Sequence, residues 1–207
     1  IRQGTFKDDH HELTKSERMQ TAVLNEFDSA CFSSNEAGEV TWNMKGDCDG
    51  AYLLYDCDES AGLISFSFEL PCECEILIGF GEHLDDGRVR TAVGGRNFCF
   101  RYIAHTGKNE FFYPLLRVGL RYLSFYIYSI SGTVNQTYPL TRKKPVFSNE
   151  LHRRIYDVGC NTLELCMHEH YEDCPWREQS LYTMDSRVQI LCGYYAFQEY
   201  EFPAASL

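Results

Sequence analysis

Leu63-Ile64-Ser65-Phe66-Ser67-Phe68-Glu69-Leu70 alternates strictly, placing Ile64, Phe66, Phe68 and Leu70 on one face and polar residues between them. A period of two is the pattern of a strand with one buried face, because successive side chains point to opposite sides of a sheet. Similar short β-rich runs surround it at Ala51 to Tyr55, Glu75 to Phe80, Phe98 to Ile103 and Tyr122 to Tyr128. Turn-forming residues separate them: Asp49-Gly50, Ser60-Ala61-Gly62, Asp86-Gly87, Gly94-Gly95 and Thr106-Gly107. Short strands at this spacing predict an antiparallel β-sandwich of jelly-roll type over residues 46–145. Residues 1–45 are polar and weakly patterned, and they read as a leading segment, a linker or an edge strand.

Pro139, Arg142, Lys143, Lys144, Pro145 and Asn149 mark a basic, proline-bounded boundary. Beyond it the period changes. Leu151, Ile155, Val158, Leu163 and Cys166 predict one amphipathic helix, bent or interrupted near Gly159. Val188, Leu191, Cys192, Tyr195 and Ala196 fall at i, i+3, i+4, i+7 and i+8 and predict a second. Ser148 or Asn149 can cap the first helix, and Thr183 or Asp185 the second. Two helices cannot bury both of their apolar faces, so residues 146–207 read as the start of a larger helical domain. The mildly apolar end at Glu201–Leu207 and the non-Met first residue, Ile1, add to the expectation of a piece of a longer protein.

Composition limits the function classes. The chain has 207 residues, with 19 Lys+Arg against 30 Asp+Glu and a net charge of −11, which argues against nucleic acid and anionic membrane surfaces as partners. No run of 18 apolar residues occurs, so no transmembrane helix is expected. Hydrophobic residues make up 44% and charged residues 24%, as in globular domains rather than disordered ones. The ten cysteines (Cys31, Cys48, Cys57, Cys72, Cys74, Cys99, Cys160, Cys166, Cys174 and Cys192) follow no disulfide-scaffold or zinc-knuckle spacing. They predict mostly reduced thiols and a cytoplasmic protein. Asn135-Gln136-Thr137 is a glycosylation triplet without a secretory context.

The densest polar cluster is His168-Glu169-His170-Tyr171-Glu172-Asp173-Cys174-Pro175-Trp176-Arg177-Glu178-Gln179, between the two expected helices. Its residue types allow three chemistries beside a plain solvated acidic loop. His168, Glu169, His170 and Cys174 could ligate a metal, although no third ligand follows at a known spacing, and no metal or cofactor is expected. Cys174 beside His170 could serve as a nucleophile, although a Cys before Pro is more often packed than reactive. Glu169, Glu172, Asp173, Glu178 and Asp185, interleaved with Trp176 and Tyr182, suit sugar hydrolysis. There an aromatic face stacks on the ring, acids bind hydroxyls, and one protonated carboxyl serves the leaving oxygen.

Asp173-Cys174-Pro175-Trp176-Arg177-Glu178-Gln179, followed by Tyr182-Thr183-Met184-Asp185, resembles the D-C-P-x-R-[DE]-[EQ] signature of bacterial α-L-rhamnosidases, glycoside hydrolase family 78. Leu163-Glu164-Leu165-Cys166-Met167-His168-Glu169-His170 resembles that family's first barrel helix. Gly79-Phe80-Gly81-Glu82-His83-Leu84 with Asp86-Gly87, and Tyr113-Pro114 with Arg117-x-Gly119-x-Arg121-Tyr122, resemble its β-domain. The resemblance runs from about residue 50 to residue 207.

It implies a β-sandwich followed by the first helices of an (α/α)6 barrel, and inverting hydrolysis of terminal α-L-rhamnosyl residues. It further implies Glu178 as general acid, Asp173 as a carboxylate that binds rhamnose hydroxyls, Asp185 as a further sugar-binding or electrostatic carboxylate, and Arg177 as the group orienting acids or sugar, with Trp176 expected beside the substrate. Many members carry a second acid where this chain has Gln179, whose amide cannot donate the proton. Others have the Arg-Glu-Gln form, with a shorter step to the later Asp, as here. The general base lies past residue 207 in the family, so this chain alone is expected to be inactive. The alternatives are a non-catalytic carbohydrate-binding β-sandwich, its many Tyr and Phe facing a glycan, and an assembly role in which apolar helix faces support a homodimer.

Overall fold

A computed structural model describes residues 1–26, 31–36, 38–113, 115–135, 148–197 and 201–206. The chain divides into two compact units, Ile1–Tyr138 and Pro139–Leu207. Pro114, the triplet residues Gln136 and Thr137, and the boundary residues Pro139, Arg142, Lys143, Lys144 and Pro145 lie outside the described residues.

The first unit is built on two antiparallel sheets. Its elements are β1 (Arg2–Lys7), α1 (Lys15–Thr21), β2 (Val23–Glu26), β3 (Phe32–Ser34), β4 (Val40–Asn43), β5 (Gly50–Gly62), β6 (Ser65–Leu70) and β7 (Cys74–Gly81). Two small ribbons follow, β8 (Leu84–Asp85) with β9 (Arg88–Val89) and β10 (Ala92–Val93) with β11 (Arg96–Asn97). Then come β12 (Cys99–Ala104), β13 (Gly107–Phe112), β14 (Val118–Ile127) and β15 (Ser131–Asn135). One sheet has the order β12-β7-β14-β5-β1-β2 and the other β13-β6-β15-β4-β3.

The alternating stretch is β6, and Phe66, Phe68 and Leu70 are buried as the period of two demands. Phe66 and Phe68 of one sheet meet Phe125 of the other edge-on, with centroids 4.6 and 5.9 Å apart. Edge-to-face packing suits the ring quadrupoles and adds to the area buried between the sheets. Strands β5 and β14 run so close that a Cβ on Gly50 would lie 1.9 Å from the Ile127 carbonyl oxygen. Only a residue without one fits there.

Residues 1–45 are part of this fold rather than a linker ahead of it. β1 sits between β5 and β2, and β3 and β4 complete the second sheet. The polar composition misleads because β1 buries only Gly4 and Phe6. α1 covers the outer face of the first sheet, where Met19 and Ala22 join Phe6, Tyr52, Leu54, Leu77 and Tyr126 in a second apolar layer. Thr14 and Glu17 form a capping box at its start, the T-x-x-E signature that the sequence displays.

A buried ion network pins α1 to the sheet. Asp8 accepts from Arg18 Nε at 2.8 Å and from the Tyr128 hydroxyl at 2.6 Å, and Arg18 also donates to Glu75 at 3.0 Å. Burial pushes the Asp8 carboxyl up, but hydrogen bonds from Tyr128, Arg18 and the His10 N–H outweigh it and hold it below its usual range.

Glu59, near the end of β5, shows the opposite balance. Burial first, then the nearby Glu82 carboxylate, lift its carboxyl to about 7 against the opposing pull of Arg121. The native state therefore binds this proton more tightly than the unfolded chain. The contribution to stability is fully present below the unfolded value of about 4.3 and is lost as pH rises through about 7. Replacing Glu59 with Gln is expected to flatten the fall in melting temperature between pH 5 and pH 8. A thermal-shift series across that range checks it.

The second unit holds α2 (Glu150–Leu165), α3 (Thr183–Ala196) and α4 (Glu201–Ser206) among its described residues. α2 runs unbroken through Gly159, contrary to the expected bend, because one glycine costs a helix interior only about 1 kcal/mol. Asn149 caps it, its side chain accepting from the backbone N–H of Leu151 and His152. Tyr182, not Thr183 or Asp185, is the residue before α3, and no side chain caps that end. α4 was not foreseen in the short apolar tail. Leu151, Ile155 and Val158 of α2 and Val188, Leu191 and Tyr195 of α3 are exposed, as expected for helices with too few partners in this unit. Among the described residues no helix is long and apolar enough to cross a membrane.

Candidate active site

The acidic cluster occupies the connection between α2 and α3, and the second unit braces it from several sides. Met167 and Tyr171 form a bridge that folds His168-Glu169-His170 into a tight turn. Tyr171 is fully buried, edge-on to Phe202 at 4.9 Å, and its N–H donates to Ser206 Oγ at 2.7 Å. Gln189 of α3 donates from Nε2 to the Glu172 carbonyl at 2.6 Å. Loops built this way hold side chains steadily enough for recognition or catalysis.

Pro175 to Glu178 form one further turn. Asp173 N–H donates to the Ser180 carbonyl, and Ser180 N–H donates to Asp173 Oδ1, both at 3.0 Å. The Glu178 N–H points at Cys174 Sγ, 3.4 Å away. The loop is thereby closed, and functional atoms of Asp173, Cys174 and Glu178 lie within 4.8 Å of one another. Arg177 Nη2 donates to Glu178 Oε1 at 2.8 Å from an exposed position. Burial pushes the Asp173 carboxyl up. The Ser180 N–H, the Glu178 side chain and Cys174 hydrogen-bond to it and hold it below its usual range. Asp173 is thus kept as the carboxylate.

The structure gathers Asp173, Arg177 and Glu178 into this one cluster. Asp185 stands exposed in the first turn of α3. Trp176 is only 7% exposed, so its ring packs within the unit, whereas Tyr182 at 48% is the neighbouring aromatic with an open surface. The burial of Trp176 is tertiary, and nothing in its local sequence signals it.

The possible metal ligands regroup. His168 is turned back onto the Leu165 carbonyl at 2.7 Å, and Cys174 sits with Asp173 and Glu178. Glu169, His170 and Glu172 form a separate set with ligand atoms within 4.8 Å of one another. Either set has donors a cation could use, and two donors of the Cys174 set, Asp173 and Glu178, are the acids of the chemistry derived below. Cys174 faces the two acids rather than His170 in that cluster, so the thiol–imidazole pairing needed to activate a nucleophile is not what the loop assembles.

No protein-family model and no curated protein matches the chain. A solved structure does: the GH78 family rhamnosidase of Bacillus sp. GL1, 27% identical, with a TM-score of 0.69 over 88% of this chain. The chain spans 20% of the length of that protein. The match supports a fold like that of a glycoside hydrolase family 78 enzyme over this part of it, and a relationship to glycosidases.

Proposed function

We propose that the chain is part of an inverting α-L-rhamnosidase and that the loop from Asp173 to Asp185 supplies the acid side of its active site. The observation that carries this is the closed pair of Asp173 and Glu178, with functional atoms within 4.8 Å and Arg177 donating to Glu178. The two are too close to be acid and base of one inverting enzyme, whose carboxyl groups stand about 6.5–9.5 Å apart to admit the attacking water. They work on one side of the sugar, and the base that activates water is a separate carboxylate on the opposite side.

In this mechanism Glu178 is the general acid. Before substrate binds, Glu178 lies beside Asp173 with Arg177 on its Oε1. A terminal rhamnosyl residue brings a hydroxyl that donates to Asp173, and Glu178 in its protonated form gives its proton to the glycosidic oxygen. The proton leaves with the departing alcohol while water, relieved of a proton by the distant base, attacks the opposite face of the anomeric carbon. Arg177 orients Glu178, and Asp185 adds negative charge near the oxocarbenium-like carbon. Trp176 supports the loop from beneath. α2 and α3 are the opening helices of an (α/α)6 barrel, which accounts for their exposed apolar faces. The substrate is a glycoside ending in α-L-rhamnose, and the enzyme acts in the cytoplasm.

Binding of L-rhamnose to the 207-residue chain tests the sugar site apart from catalysis. Chemical-shift changes are expected at Asp173, Arg177 and Glu178. Asp173→Asn is expected to weaken binding about tenfold, the loss of one charge-assisted hydrogen bond. Equal binding by the variant would remove Asp173 from the site.

A further inference from the structure

The turn that carries the two acids ends in an unusual backbone. Gln179 has φ 52°, in the left-handed region that disfavours residues with a Cβ and that glutamine has no local reason to enter. The one other described non-glycine residue with a positive φ is Asp86, beside Gly87 in a hairpin, where Asp is at home. A strained residue persists only where its surroundings hold it.

At Gln179 the hold is its own side chain. Nε2 donates to the Pro175 carbonyl at 2.6 Å, tying the residue after the turn back to the turn's first residue. With the backbone reversed at this residue, Ser180 returns to Asp173 and makes both bonds that close the loop. The residue immediately before the reversal is Glu178, so the place of the reversal decides where the second acid stands relative to the first.

We propose that Gln179 is a positioning residue for the acid pair: its left-handed backbone and its amide clamp on Pro175 hold Glu178 against Asp173. The meaning of that geometry for a sugar rests on the rhamnosidase reading above; the geometry itself does not. It also gives a use to the amide in a place where an acid would otherwise be expected. A glutamine cannot donate the catalytic proton, but it can aim the residue that does.

The test uses the whole 207-residue chain in three forms: native, Gln179→Ala, which keeps the backbone cost and loses the clamp, and Gln179→Gly, which loses both. The Gly form guards against a variant that fails to fold, because glycine enters the left-handed region freely. Carboxyl-carbon NMR follows the titration of Asp173, which faces Glu178, Cys174 and the Ser180 N–H, with Arg177 on the far side of Glu178. A parallel titration with L-rhamnose follows binding.

In the native chain Asp173 is expected to titrate below ordinary aspartate. In both variants its midpoint is expected to rise, and rhamnose binding to weaken about tenfold, since one charge-assisted contact loses its alignment. An Asp173 midpoint unchanged in Gln179→Gly overturns the proposal, whatever happens to the melting temperature. A shifted midpoint with no rhamnose binding by any form upholds positioning and overturns the sugar reading. Native rhamnose binding with an unshifted midpoint does the reverse.

Discussion

Replacing Glu178 with Gln is expected to lower kcat/KM on an alkyl α-L-rhamnoside by about 10²- to 10⁴-fold in the complete enzyme, the usual contribution of a positioned general acid. Each tenfold corresponds to about 1.4 kcal/mol of transition-state stabilisation, so the loss spans roughly 3–5 kcal/mol. The substitution is nearly isosteric, and its amide can still donate to Asp173, so folding should change little. The proton matters most when the leaving alkoxide is basic. With a dinitrophenyl leaving group, which departs as a stable anion, the same variant is expected to lose far less. Steady-state rates on the two substrates check this, and an equal loss on both would mean that Glu178 does not donate the proton.

The second large effect concerns stability. Arg18→Met removes the cation shared by Asp8 and Glu75 while preserving most of the side-chain volume. Arg18 is 7% exposed and Asp8 2%, so the Asp8 carboxylate left behind remains buried, while the half-buried Glu75 keeps Arg101. Removing one partner of a buried ion pair typically costs about 3–5 kcal/mol, and a loss of that size is expected in urea unfolding of the chain. A further change of Asp8 to Asn should restore part of it, because an uncharged amide needs no counter-charge. The pH dependence follows from sign. Asp8 and Glu75 are both held below their usual values, so their contribution is present above about pH 4 and is lost as pH falls through their native values. In the variant this acid-side loss should shrink. Native-like stability of Arg18→Met would mean that the ion network does not hold α1, which then rests on its apolar face and on the hydrogen bonds of Ser16, Gln20 and the Met19 carbonyl.

The same network explains what was hard to read from the sequence. Ile64, Phe66, Phe68 and Leu70 announce a buried strand because the signal is local and two-periodic. Arg2 to Lys7 announces nothing, since its partners Ala51 to Leu54 lie about fifty residues away and only Gly4 and Phe6 face inward. The buried Arg18 is equally silent: apart from Met19 its near neighbours in sequence are polar, and its partners Asp8 and Glu75 come from two other segments. Thr14 and Glu17, which form the capping box at the start of the helix that carries it, are a local signal that the reading of residues 1–45 as weakly patterned passed over.

The candidate site was more legible for a physical reason. Asp173, Arg177 and Glu178 are near in sequence, and a single closed loop brings them together, so contiguity stood in for folding. What stayed hidden was conformational. The burial of Trp176 depends on the surrounding unit, and the left-handed backbone of Gln179 has no signature in a residue that rarely adopts it.

The most direct measurement is the fate of the anomeric centre. The protein expressed from its own gene would be weighed intact, mixed with an aryl α-L-rhamnoside, and followed by proton NMR from the first seconds. The expected result is release of L-rhamnose that appears first as the β-anomer, as an acid paired with a distant base requires. Release of the α-anomer would show that a second carboxylate attacks the sugar from close range, and no release at all would take the acid pair of Asp173 and Glu178 out of rhamnoside hydrolysis.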